Sequence, residues 1–187
     1  MHNIIPNKFY FIDTFKKNEI DKLNKETGVI FRNYKDKISI RKIIQLRNYC
    51  AKNKIKFFLS NNFKIALKLN LDGVYLPSFN KEMTHLTFAI KPSFLILGSA
   101  HNVKEIRIKE SQQVKLIFIS SLFKKNKNYL GFNKFKVLRK LTSRDVIALG
   151  GISKFNERRV KLLDCFGISG ISYFQKKGPK NGALFIN

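Results

Sequence analysis

Eight short apolar runs recur along this chain at fairly even intervals, and that recurrence restricts the possible folds more than any other feature. The runs are Phe9–Asp13, Gly28–Asn33, Lys56–Ser60, Gly73–Leu76, Phe94–Ser99, Lys115–Ser120, Asp145–Leu149 and Ile168–Phe174. Successive starts lie roughly 20 to 30 residues apart, the length of one strand plus one helix. Several runs are apolar throughout rather than alternating, the pattern of a parallel strand covered on both faces. Helical spacing fills most gaps. Ile40, Ile43, Ile44, Leu46 and Tyr49 share a face, and Asn62 to Asn70 reads as a short helix. Asn102 with Glu105 predicts a capping box, and Asn133 to Leu141 a further helix. Ser153 is the expected cap of a helix over Lys154 to Leu163. Asn80 to Phe88 carries little periodicity. Eight βα units predict a compact (β/α)8 TIM barrel with short helices, with an open doubly wound sheet as the alternative. With 187 residues, a single domain over 1–187 is expected.

Composition narrows the class. No apolar run approaches the roughly 18 residues of a membrane span, and Met1 to Lys8 lacks a signal-peptide core. Cys50 and Cys165 are too few for a disulfide framework, so a reduced cytoplasmic protein is expected. The formal net charge of +25 points toward nucleic acid. The excess, however, is mostly lysine spread along the chain with abundant Asn, Ile and Phe, as an AT-rich coding sequence produces. Lys124, Lys125 and Lys127 cluster, as do Lys176, Lys177 and Lys180, and a basic mouth for a phosphorylated substrate explains both clusters. Nucleic-acid binding is the lesser reading.

In a barrel of this kind, active residues follow the strands on the C-terminal face. Those positions here are polar, basic and glycine-containing, which suits phosphate. The run Val146–Leu149 ends in Gly150, Gly151, Ile152 and Ser153. A strand that ends in a glycine turn before a helix points free N–H groups at an anion.

At these strand ends the chain resembles the thiamine phosphate synthase and thiazole tautomerase superfamily. Leu71-Asp72-Gly73-Val74-Tyr75-Leu76 is similar to the family's ADGVHLG, and Gly98-Ser99-Ala100-His101-Asn102 to its GVSAHN. Ile119-Ser120-Ser121-Leu122-Phe123, with the basic tail to Lys127, is similar to LGPIFPTxTK. Ala148-Leu149-Gly150-Gly151-Ile152 is similar to AIGGI. The family joins a hydroxymethylpyrimidine diphosphate to a thiazole phosphate with Mg²⁺, releasing diphosphate, in thiamine biosynthesis. The resemblance therefore implies a transferase with phosphorylated small-molecule substrates, no membrane partner, and possible association into homo-oligomers.

The resemblance also implies roles residue by residue. Arg32 stands at the diphosphate-binding arginine, where a guanidinium offers bidentate geometry. The family's Gln before it is Ile30 here and its Lys after it is Tyr34, with Lys35 as a neighbouring charge one position off. Ser99 matches a serine that contacts diphosphate. Lys127 matches a diphosphate-binding lysine, with Lys124 and Lys125 as rivals. Ser60-Asn61 aligns with an Asn-Asp pair, and Asn80 with a second aspartate, so both expected Mg²⁺ carboxylates are amides. Mg²⁺ is usually bound through one or two carboxylates, so Ser60, Asn61 and Asn80 are substrate- or phosphate-binding candidates rather than metal ligands. His101 is a further binding candidate. The tautomerase's histidine base aligns near Ser121, which cannot titrate in that range. Gly150 and Gly151 match the thiazole-phosphate loop, which the family completes with an Ile-Ser pair after the eighth strand; the eighth run places that pair at Phe174-Gln175. The alternatives are a tautomerase-like enzyme or a non-catalytic phospholigand-binding barrel.

Overall fold

A computed structural model describes residues 4–34 and 39–174. Eight parallel strands close a barrel in sequence order. They are β1 (Lys8–Ile12), β2 (Thr27–Phe31), β3 (Lys56–Ser60), β4 (Gly73–Leu76), β5 (Leu95–Ala100), β6 (Leu116–Ile119), β7 (Asp145–Leu149) and β8 (Gly167–Ser169). The open-sheet alternative is excluded because β8 pairs with β1, aligning Lys8 with Ile168 and Phe9 with Ser169. Ser169 Oγ also donates to the Phe9 carbonyl at 2.8 Å across this seam. The helices are α1 (Lys17–Ile20), α2 (Ile40–Lys52), α3 (Phe63–Lys68), α4 (Val103–Ser111), α5 (Gly131–Lys140), α6 (Glu157–Lys161) and α7 (Ile171–Phe174). β4 is followed only by a 3-10 turn, Thr84–Thr87, in agreement with the missing period there.

Strand alternation divides the apolar residues into two layers. Phe9, Phe11, Ile30, Phe58, Tyr75, Leu97, Leu116, Phe118 and Ile147 fill the barrel. Rings take much of this space: Phe9 meets Phe118 edge-on at 4.9 Å, and Phe11 meets Tyr75 at 5.2 Å. The alternate residues, among them Val29, Phe57, Val74, Ile96, Ile117 and Val146, pack outward against Ile43, Leu46, Ile106, Phe135 and Val160 of the helices. Asn62 caps α3 by accepting from the Ile65 N–H at 3.1 Å, and Asn102 caps α4 by accepting from Glu105 at 2.9 Å. Glu105 answers by accepting from the His101 N–H, one residue before the cap.

Two expectations are corrected. Ser153 does not cap a helix over Lys154 to Leu163. Asn156 instead accepts from the Ser153 N–H and donates to the Gly151 carbonyl, closing a turn that delays α6 to Glu157. The eighth run is not one strand to Phe174: β8 stops at Ser169 and Ile171–Phe174 is helical. The Phe174 ring packs on Tyr10 at 5.3 Å, so helix packing accounts for aromatics that read as strand residues. Lys35 and the residues from Gln175 onward, including Lys176, Lys177 and Lys180, lie outside the described residues.

Candidate active site

The inward alternation of β3, β5 and β6 continues from large apolar residues to small hydroxyls at the C-terminal end. Phe58 gives way to Ser60, Leu97 to Ser99 and Phe118 to Ser120, and all three serines are buried. Arg32 reaches this polar layer from β2, its guanidinium lying 4.6 Å from the centre of the Phe11 ring. The cation–π contact holds the planar head over the barrel axis side without consuming its N–H donors. Ile30, at the family's glutamine position, is buried inside the barrel below it. Tyr34 shares a hydrogen bond of 2.8 Å with Ser60 and meets the exposed Phe79 ring edge-on at 5.6 Å. Tyr75 completes the floor. Burial pushes its phenol up to about 12, against the opposing pull of a Ser99 hydrogen bond and the Arg32 charge, so it stays a neutral hydroxyl.

The rim between β3 and β4 carries Asn61 and Asn80. Asn61 has φ +57°, a conformation Asn tolerates better than most residues. Asn80 Nδ2 donates to Asn61 Oδ1 at 2.8 Å. Asn80 Oδ1 accepts from Gln112 Nε2 at 2.9 Å and from the Glu82 N–H at 3.1 Å. The Asn80 carbonyl accepts from Lys109 Nζ at 2.7 Å. Lys109 is fully buried, and desolvation lowers its amine to about 8, partly countered by Glu105. Sequence reading gave Lys109 and Gln112 no role, since polar residues on a helix read as solvent-facing. The missed signal was spacing: Lys109 sits three residues after the inward Ile106. Gly98 on β5 leaves room for it, because a Cβ there would lie 2.8 Å from Lys109 Cδ.

These donors do not fit Mg²⁺. The ion takes oxygen ligands and usually a carboxylate, whereas this pair is neutral, with Asn80 Oδ1 already accepting two N–H groups and Asn61 Oδ1 turned toward Asn80 by a third.

The remaining candidates sit on the neighbouring loops. His101 Nδ1 lies 2.7 Å from the Ser120 carbonyl, which can only accept, so Nδ1 carries the proton and Nε2 is the basic nitrogen of the neutral ring. The ring borders an apolar cleft with Val103, Leu130 and Val137. Lys127 is exposed on the loop after β6, as are Lys124 and Lys125. The base of that loop is pinned where Ser121 N–H donates to Asn128 O and Leu130 N–H donates to Ser121 O, both at 2.9 Å.

Gly150 and Gly151 have φ +104° and +75°. The Gly150 carbonyl accepts from Phe123 and Lys124 N–H at 2.8 and 3.2 Å. A Cβ on Gly150 would lie 2.4 Å from Ser121 Oγ, and one on Gly151 would lie 2.7 Å from Lys124 N. The glycines are therefore required first by the close approach of the β6 loop. Among the described residues no hydrogen-bond acceptor meets the Gly151 or Ile152 N–H. Gly170 follows β8 at the same place, its Cβ position being 3.1 Å from the Ile152 carbonyl. The next residues are Ile171-Ser172, so an Ile-Ser pair does follow the eighth strand; the expectation at Phe174-Gln175 came from overextending that strand.

The family model described as thiamine monophosphate synthase matches residues 23–174. The chain belongs to the thiamine monophosphate synthase family. Among its thiamine monophosphate synthase relatives, the thiamine-phosphate synthase of Prochlorococcus marinus subsp. pastoris is 29% identical over 164 residues, which is 83% of this chain and 46% of that protein. The thiamine-phosphate synthase of Methanococcus vannielii is 29% identical over 133 residues, 69% of this chain and 63% of that one. The chain thus spans about half to two thirds of these relatives. The thiamine phosphate pyrophosphorylase structure from Pyrococcus furiosus superposes with a TM-score of 0.74 at 19% identity, covering 90% of this chain and 86% of that one, and shares the barrel fold. No helix among the described residues is long and apolar enough to cross a membrane.

Proposed function

We propose that this chain, as one barrel domain, is a transferase of the thiamine phosphate synthase type, joining hydroxymethylpyrimidine diphosphate to thiazole phosphate. The family match over residues 23–174 carries the reading. In the reaction the C–O bond between the pyrimidine methylene and the diphosphate breaks, and the electron pair leaves with the diphosphate. The thiazole nitrogen lone pair then forms the C–N bond. Catalysis of this kind needs charge stabilisation on the leaving group more than a strong base. Arg32, held over Phe11, and Lys127 on the β6 loop supply positive charge, while Ser99 contributes a hydroxyl from the buried serine layer at the strand ends. The Gly151 and Ile152 N–H groups, beside Ile171-Ser172, suit the thiazole phosphate. Burial pushes the thiols of Cys50 and Cys165 up to about 12, so neither offers a thiolate nucleophile.

The neutral amides of Asn61 and Asn80 favour a second reading, a barrel that binds phosphorylated ligands without turnover. One experiment separates the two. The protein is mixed at high concentration with both substrates and assayed for thiamine phosphate, and its melting temperature is followed with thiazole phosphate alone. Product formation that falls by about 100-fold or more in Arg32→Ala supports the transferase. A thermal shift without product supports the binding barrel, and neither product nor shift rejects both.

A further inference from the structure

The orientation of every amide around Asn80 is set by groups whose hydrogen-bonding role is not in question. The Glu82 backbone N–H can only donate, so the Asn80 atom that meets it is Oδ1. Gln112 Nε2 donates to the carbonyls of Glu82 at 2.8 Å and Asn80 at 3.3 Å, so the other end of Gln112 is its oxygen, and that oxygen accepts from Lys109 Nζ at 2.7 Å. With Asn80 Oδ1 turned inward, its Nδ2 faces Asn61, whose side chain must meet it with Oδ1. What remains for a ligand is one-sided. Asn80 Oδ1 is filled by two donors and Asn61 Oδ1 is turned toward Asn80 by one, whereas both N–H groups of Asn61 Nδ2, and the second of Asn80 Nδ2, have no partner among the described residues. A cation needs the oxygens; an anion needs the N–H groups.

We propose that the Asn61–Asn80 rim is an anion-facing donor site that hydrogen-bonds a phosphate oxygen of the ligand directly, without a bridging divalent cation, and that Lys109 and Gln112 are the positioning residues that set this polarity. The proposal rests on the reading of the barrel mouth as a site for a diphosphate-bearing ligand. Lys109 acts through Asn80 and touches no ligand. Its buried ammonium holds the Asn80 carbonyl and orients Gln112, and Gln112 holds the Asn80 side chain. Arg32 supplies the full positive charge on the same face, and the rim adds directional neutral donors.

The test uses inorganic diphosphate and the whole chain, with binding measured by calorimetry in EDTA and again in millimolar Mg²⁺. The wild-type protein is expected to bind in EDTA and to gain no affinity from Mg²⁺. Asn61→Asp lies on the exposed rim at a φ that Asp also tolerates, so it should fold normally. It points a carboxylate oxygen at the anion, and its affinity in EDTA should fall at least tenfold and recover with Mg²⁺. Lys109→Met frees Asn80 to turn, so its diphosphate affinity should become Mg²⁺-sensitive, a change that a purely structural lysine would not cause. Wild-type binding that requires Mg²⁺, or an Asn61→Asp protein that binds in EDTA as the wild type does, overturns the proposal alone. Absence of diphosphate binding under both conditions overturns it together with the functional reading.

Discussion

Gly150→Ala is expected to lose about 3 kcal/mol of stability, from a positive φ that costs about 1–3 kcal/mol and an overpacking term of similar size. The added methyl would enter space 2.4 Å from Ser121 Oγ and 2.8 Å from Ser121 Cα, on a residue that is itself buried. The β6 loop cannot withdraw easily, because Phe123 and Lys124 donate to the same glycine's carbonyl and Ser121 is tied to Asn128 and Leu130. For a chain of this size the loss corresponds to a drop of roughly 10 °C in melting temperature. Urea unfolding, with the midpoint read at unchanged slope, checks it. Ser153→Ala is the companion measurement. A helix-capping serine would cost about 1 kcal/mol; this one donates to Asn156 through its backbone N–H, so a change within about 0.5 kcal/mol is expected. A Gly150→Ala protein as stable as the wild type would mean that the loop and turn are not packed as described.

The second large effect is a dependence of stability on alkaline pH. In the folded protein Lys109 loses its proton near pH 8, against 10.5 for an ordinary lysine. Between those values the unfolded chain holds a proton that the folded one has released, so stability rises as pH increases through the window. Below pH 8 both states are protonated and the full cost of burying the ammonium is present. The gain approaches about 3 kcal/mol from Lys109 alone. Comparison with Lys109→Met isolates it, since the other lysines cancel. The wild-type protein should gain on the variant steadily from pH 8 to 10.5, and a constant difference across that range would contradict a desolvated amine.

Much of this architecture is readable from residues alone. β3, β4 and β7 begin and end where their apolar runs do, because solid runs flanked by polar residues leave little choice of boundary. The eighth run misleads because Ile171, Tyr173 and Phe174 are strand-favouring residues that resume directly after the single Gly170 at which the strand ends. The consequence was functional, since an Ile-Ser pair stood two residues past the true strand end. Arg32, Ser60 and Ser99 could be assigned to the mouth from strand register. The polarity of Asn61 and Asn80 could not, because it depends on which atom of each amide faces a neighbour. That choice is made by Lys109 and Gln112, and the inward orientation of Lys109 depends on Gly98 leaving space on β5, the strand paired with β4.

The short connection after β4 has a wider consequence. That strand is followed by a 3-10 turn in place of a helix, and its loop is held by Lys109 of α4 and by Gln112 at that helix's C-terminal cap, both from the next βα unit. The chemistry of the loop is therefore inherited from a neighbouring module. Grafting residues 77–82 into another barrel would carry over the letters of this rim without its meaning unless positions 98, 109 and 112 travelled with them. In the same way, changes at those three positions and at Asn80 should show epistasis, each tolerable or harmful according to the others.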